Sequence, residues 1–63
     1  MTEKDLKAAF QALSPAEKAR FLETENREWL ESLEYVLKVE GPERVEELLR
    51  LLDEYLFRHG VYP

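Results

Sequence analysis

Gly41-Pro42 restricts this chain more than any other pair of residues. Glycine supplies the left-handed backbone that ends one helix, and proline fits the first position of the next. Apolar residues at helical spacing lie on both sides. Trp29, Leu30, Leu33, Val36 and Leu37 precede the pair; Val45, Leu48, Leu49, Leu52, Tyr55 and Leu56 follow it, with Leu51 widening the second stripe. Both stripes are broad, of the kind that packs into a bundle rather than a thin seam. So short a link makes the two helices neighbours and roughly antiparallel. The sequence therefore predicts an all-α fold centred on a helical hairpin, about residues 27–40 and 42–58.

The residues before the hairpin carry strong helix-start signals. Thr2 can cap a helix running to about residue 13, with Asp5 placed to reach the free amides of its first turn. Leu6, Ala9, Phe10 and Leu13 form its narrow stripe. Ser14-Pro15-Ala16-Glu17 starts a further helix: Ser14 is the cap, Pro15 takes the first position and Glu17 completes a capping box. Ala19 and Leu22 share one face, with Phe21 beside them. Glu23-Thr24-Glu25-Asn26 is polar throughout. Either the helix runs straight through with Asn26 at a seam position, or it breaks, with Thr24 or Asn26 capping a new helix. The lapse in apolar spacing favours the break, so one or two short helices precede the hairpin. At the far end, Arg58 and His59 sit where positive charge suits the helix dipole, Gly60 closes the helix, and Val61-Tyr62-Pro63 reads as an extended exit. The chain divides into an N-terminal lead-in (1–24), a docking or dimerisation hairpin (25–60) and an exit into a longer parent chain (61–63).

Sixty-three residues suffice for one small domain with a limited core, and the absence of cysteine removes disulfides and thiolate metal sites as reinforcement. One hairpin cannot cover both of its broad stripes. A symmetric homodimer with a four-helix core is the expected arrangement. Trp29, Leu30, Leu33, Val36, Leu37, Val45, Leu48, Leu49, Leu52 and Leu56 would supply the core or the dimer contact. Trp29 and Tyr55 are expected to fill the space between the hairpin helices, and Tyr35, to the side of its stripe, to stay exposed. Glu34 and Lys38 are spaced to pair, and Glu46, Arg50 and Glu54 to form an outer ladder.

The net charge of −5 is unevenly placed. Through Leu22 there are four basic and three acidic residues; from Glu23 onward there are eleven acidic and five basic ones. Such a field repels nucleic-acid phosphates and anionic lipid headgroups and suits a basic protein partner. No apolar run is long enough to span a bilayer and none reads as a signal peptide, so a cytoplasmic protein is expected.

Chemistry is sparse. His59 stands near a helix end with no histidine or cysteine to complete a metal site. The two glycines stand apart, so there is no phosphate-binding loop. Ser14 is accounted for as a cap, and neither it nor Ser32 has a histidine nearby in sequence. Glu46-Glu47 and Asp53-Glu54 lie on a solvated helix surface, without the burial that tunes an acid–base pair. The expectation is a chain with no active site, cofactor or metal of its own.

The wording at residues 27–44 is more specific. Arg27-Glu28-Trp29-Leu30, Leu33-Glu34, Val36-Leu37, Glu40-Gly41 and Glu43-Arg44 resemble the N-terminal segment of the homodimeric, thiamin-diphosphate-dependent pyruvate dehydrogenase. The likeness continues loosely through the leucines of the last helix into Gly60-Val61, and the first two dozen residues lack it. The resemblance implies a parent enzyme that oxidatively decarboxylates pyruvate and acetylates lipoyl groups, using thiamin diphosphate and magnesium held by residues far downstream. It also implies docking onto the small basic peripheral subunit-binding domain of dihydrolipoyl acetyltransferase. Glu28, Glu31, Glu47 and Glu54, which project away from the apolar faces, would be the partner-binding residues. Two other readings stand beside this one. The chain would be a stand-alone acidic helical oligomer with a structural or regulatory role, or a segment that only dimerises its parent.

Overall fold

A computed structural model describes residues 1–62 of the chain. Three helices follow one another among the described residues: α1 (Glu3–Gln11), α2 (Pro15–Val39) and α3 (Pro42–Arg58). The fold is all-helical, with no strand among those residues.

The two N-terminal starts are built as their sequences predict. The Asp5 amide donates to Thr2 Oγ1 and the Thr2 amide donates to Asp5 Oδ2, each at 3.2 Å. Ser14 and Glu17 repeat the exchange, at 2.9 Å for the Ser14 amide and 3.2 Å for that of Glu17. Each box satisfies amides that have no partner inside the helix. α1 ends at Gln11 rather than near Leu13. The Leu13 amide closes a tighter turn on the Phe10 carbonyl, and the proline after Ser14 holds that residue extended.

The expected break near Thr24 does not occur: α2 is one helix of 25 residues. Neither Thr24 nor Asn26 caps anything. Across the polar turn, Glu23 and Arg27 form an i, i+4 ion pair at 3.8 Å, and no glycine or proline interrupts it. The apolar pattern also resumes in phase, because Leu22, Trp29 and Val36 are seven residues apart. The first arm of the hairpin therefore begins at Pro15, well before residue 27.

The Gly41-Pro42 junction forms as expected, with a different backbone at the glycine. Gly41 has φ +100° and ψ 168°, a region essentially reserved for glycine and distinct from the left-handed helical one. The amides of Glu40 and Gly41 both reach the Val36 carbonyl, at 2.8 and 3.1 Å, so α2 closes on its own last turn. Gly60, at φ +75°, ends α3 in a full Schellman pattern. The Val61 amide bonds the Leu56 carbonyl (2.9 Å) and the Gly60 amide bonds that of Phe57 (3.1 Å). Pro63, part of the expected exit, lies outside the described residues.

α2 and α3 pack against each other beside this junction and hardly at all further out. Beside the junction, Val36, Gly41, Arg44, Val45 and Leu48 are half-buried, and no side chain among the described residues is buried. Trp29 stays 65% exposed and Tyr55 53%. The expectation that these two fill the space between the helices is not met within one chain. The arms touch near the turn and leave their outer faces open. The radius of gyration, 15.1 Å, compares with about 10.6 Å for a compact chain of this length. α1 rests on α2 through Phe10 and Phe21, whose rings lie 5.8 Å apart, and the Lys18 ammonium sits 5.7 Å above the Phe10 ring.

Candidate docking surface

Each helix of the hairpin has an apolar face toward the opening and an acidic face away from it. On α2, Glu28 and Glu31 are one turn apart and both are exposed. Glu28 borders a shallow hollow with Trp29 and Ser32. On α3, Glu47 and Glu54 are two turns apart on one face. The four carboxylates are not equivalent. The Arg44 guanidinium holds Glu47 and also approaches Glu40 at 3.9 Å. Glu28, Glu31 and Glu54 have no ion-pair partner among the described residues.

Internal pairing sharpens the acidic balance. Arg27 pairs with Glu23, Lys38 with Glu34 at 2.6 Å, and Arg44 with Glu40 and Glu47. Most of the basic side chains after residue 23 are thus already engaged, and the surplus charge rests on open carboxylates. The predicted Glu46, Arg50 and Glu54 ladder does not form among the described residues. Exposed pairs of this kind gain little over solvation, and the nearby pairing is made by Arg44 at the junction instead.

His59 serves the helix end, as its position suggested. Its Nδ1 donates to the Tyr55 carbonyl at 2.9 Å, and its ring stacks on that of Tyr55 with centroids 4.2 Å apart. Tyr35 is exposed. Shifted carboxyl groups occur away from this surface. Hydrogen bonds from the Thr2 backbone and side chain lower the Asp5 pKa, and those from Ser14 do the same for Glu17. Both are capping effects.

One feature of the surface was missed by stripe counting. Phe57 lies off the α3 stripe, but the turn at Gly60 brings Tyr62 back to it, edge to face at 5.4 Å. With Asp53, Leu56 and Val61 they line a cleft of about 420 Å³. A second hollow beside it is lined by Asp53, Glu54, Phe57 and Arg58. The available signal was Gly60 itself: a Schellman turn reverses the chain and returns the residues after it to the helix.

The described residues contain no cluster of three or more His, Cys, Asp or Glu that could hold a metal ion, and none of their helices is long and apolar enough to cross a membrane. Open apolar faces and unpaired carboxylates flank a short hairpin among the described residues. Residues 23–63 match the family described as "Pyruvate dehydrogenase E1 component, N-terminal domain". The match spans more than half of the chain, and the chain belongs to that family. It takes in α3 and most of α2 and leaves out α1. Compared with curated proteins and with solved structures, the chain finds no match in either.

Proposed function

We propose that this chain is the docking module of a homodimeric, thiamin-diphosphate-dependent pyruvate dehydrogenase, acting in the cytoplasm. It binds the basic peripheral subunit-binding domain of dihydrolipoyl acetyltransferase and so joins its parent enzyme to the complex. The supporting observation is the acidic surplus of the family-matched hairpin, whose Arg27, Lys38 and Arg44 are engaged by other glutamates. Glu28, Glu31 and Glu54 are the open contacts. Glu47 becomes available when a partner's charge replaces Arg44. The cleft at Phe57 and Tyr62, next to Glu54, offers an apolar anchor beside the charge. Carboxylates in such a setting speed encounter and select the partner, although each contributes little affinity. Thiamin diphosphate and magnesium belong to the parent enzyme, outside these residues.

Calorimetric titration of the chain with the isolated subunit-binding domain, over a series of salt concentrations, tests this reading. Saturable binding that weakens steeply with salt is expected. Absence of binding at low salt overturns the docking role, and affinity independent of salt overturns its electrostatic basis.

A further inference from the structure

The turn at Gly60 builds a feature that α3 alone would lack. Phe57 and Tyr62 meet edge to face, with their ring planes at 74°. Phe57 is 66% exposed and Tyr62 64%, so the two rings make a corner open to solvent. Leu56 and Val61 line it with them, and Asp53, one turn before Phe57, stands at its edge. Asp53 also lines the neighbouring hollow, with Glu54 and Arg58. Neither carboxylate has an ion-pair partner among the described residues, and neither does Arg58. The corner lies at the C-terminal end of α3, where the helix dipole adds to the negative field.

We infer that this corner receives one arginine side chain of the basic partner domain, its guanidinium over an aromatic face and forked toward Asp53. The inference rests on the docking reading for the source of the arginine. The chemistry of the site selects the occupant. A purely apolar side chain would strip water from Asp53 and leave the carboxylate unpaired, which is costly. A second copy of this chain would bring its own net charge of −5 to an acidic site. A cation gains from the ring face and from the carboxylate together. Guanidinium is more weakly hydrated than ammonium, and its planar fork can lie flat on a ring while its edge bonds a carboxylate. The methylene stem of an arginine is matched to the apolar lining from Leu56 and Val61. Arg58 lines the outer hollow and not the corner itself; from there its charge opposes the incoming one.

Calorimetric titration of the 63-residue chain and four variants with the isolated subunit-binding domain, at low salt, tests it. Phe57→Leu keeps an apolar side chain, removes the ring and is expected to weaken binding about fivefold. Asp53→Asn is expected to weaken it about threefold. Arg58→Gln is expected to tighten it about threefold; Lys38→Gln makes the same charge change at the turn end of the hairpin and is expected to do less. Phe57, Asp53 and Arg58 are exposed, so their variants keep the fold, which circular dichroism checks. A Phe57→Leu variant that binds as tightly as the wild type overturns the inference and leaves docking standing. Absence of any binding by the domain overturns docking instead, and the corner is then read directly by amide NMR with N-acetyl-arginine amide as the probe. Shifts confined to residues 53–62, and absent with the uncharged citrulline analogue, support the arginine site. No shifts, or equal shifts from both probes, overturn it.

Discussion

α1 is nine residues long, and its first turn is closed by its own side chains through Thr2 and Asp5. α3, the second arm of the hairpin, starts from Gly41 with no side-chain cap at all. Its face is wide, and it leaves Leu49, Leu52 and Tyr55 about half exposed. The N-terminal part thus takes its order from local hydrogen bonds and one aromatic contact with α2. The hairpin takes its order from a glycine that no residue with a side chain replaces without strain, and from packing that a single chain does not complete. Local capping makes a helix start where the sequence says. It tells nothing about what the helix is for. The unfinished packing between the arms lies where the family match lies.

The sharpest way to break this contrast is to put a charge on each side of it. Leu48→Asp should weaken self-association by about 100-fold or more, since the side chain sits in the cleft between the arms. Leu6→Asp on α1 should change it by less than about threefold if α1 lies outside the interface; sedimentation velocity over a concentration series reads both. The junction comes next. Gly41→Ala should cost about 1–3 kcal/mol in urea unfolding, because φ +100° with ψ 168° is strained for any side chain, even though the space around a new Cβ is open. Ser14→Ala should cost about 1 kcal/mol as a lost cap of the long helix. Thr2→Ala should cost the chain less, because α1 holds little else in place.

Replacing Glu28 and Glu31 together by glutamine should weaken binding of the basic domain a few-fold at low salt, by roughly 1 kcal/mol, and have little effect at high salt. The smallest effect is on the acid side. Asp5 and Glu17 have lowered pKa values in the folded chain because the Thr2 and Ser14 amides bond their ionised forms. Their stabilisation is present above the unfolded carboxylate pKa and is lost as pH falls through the lower folded values. Helix content followed by circular dichroism should therefore fall in acid, and less so in a Thr2→Ala, Ser14→Ala double variant.

Much of this architecture was legible in the residues because it is local. Thr2 with Asp5, Ser14 with Glu17, and Gly41 with Pro42 each act within four residues, and each forms where it was read, Gly41 with an extended positive-φ backbone in place of the left-handed helical one. Glu23-Thr24-Glu25-Asn26 was misread because cap preference was weighed over phase. The seam resumes at Trp29 in register with Leu22, and a helix with nothing to break it continues. The apolar set around the hairpin was legible as a set, but not the fact that one chain leaves it open, since that depends on how far the arms diverge. Phe57 and Tyr62 were invisible to periodicity because a turn, not a helix, brings them together. The open carboxylates were legible as types; which of them Arg44 occupies was not.

The proposal is that the hairpin has two separable faces: an acidic one that takes a basic domain, and an apolar one that closes the dimer expected from its broad stripes. Sedimentation velocity of the chain with the peripheral subunit-binding domain, at low and at high salt, tests it most directly. The account predicts a dimer alone, a heavier species when the domain is added at low salt, and a return to the dimer at high salt. Dissociation to monomers when the domain binds would place both partners on the same face and contradict it.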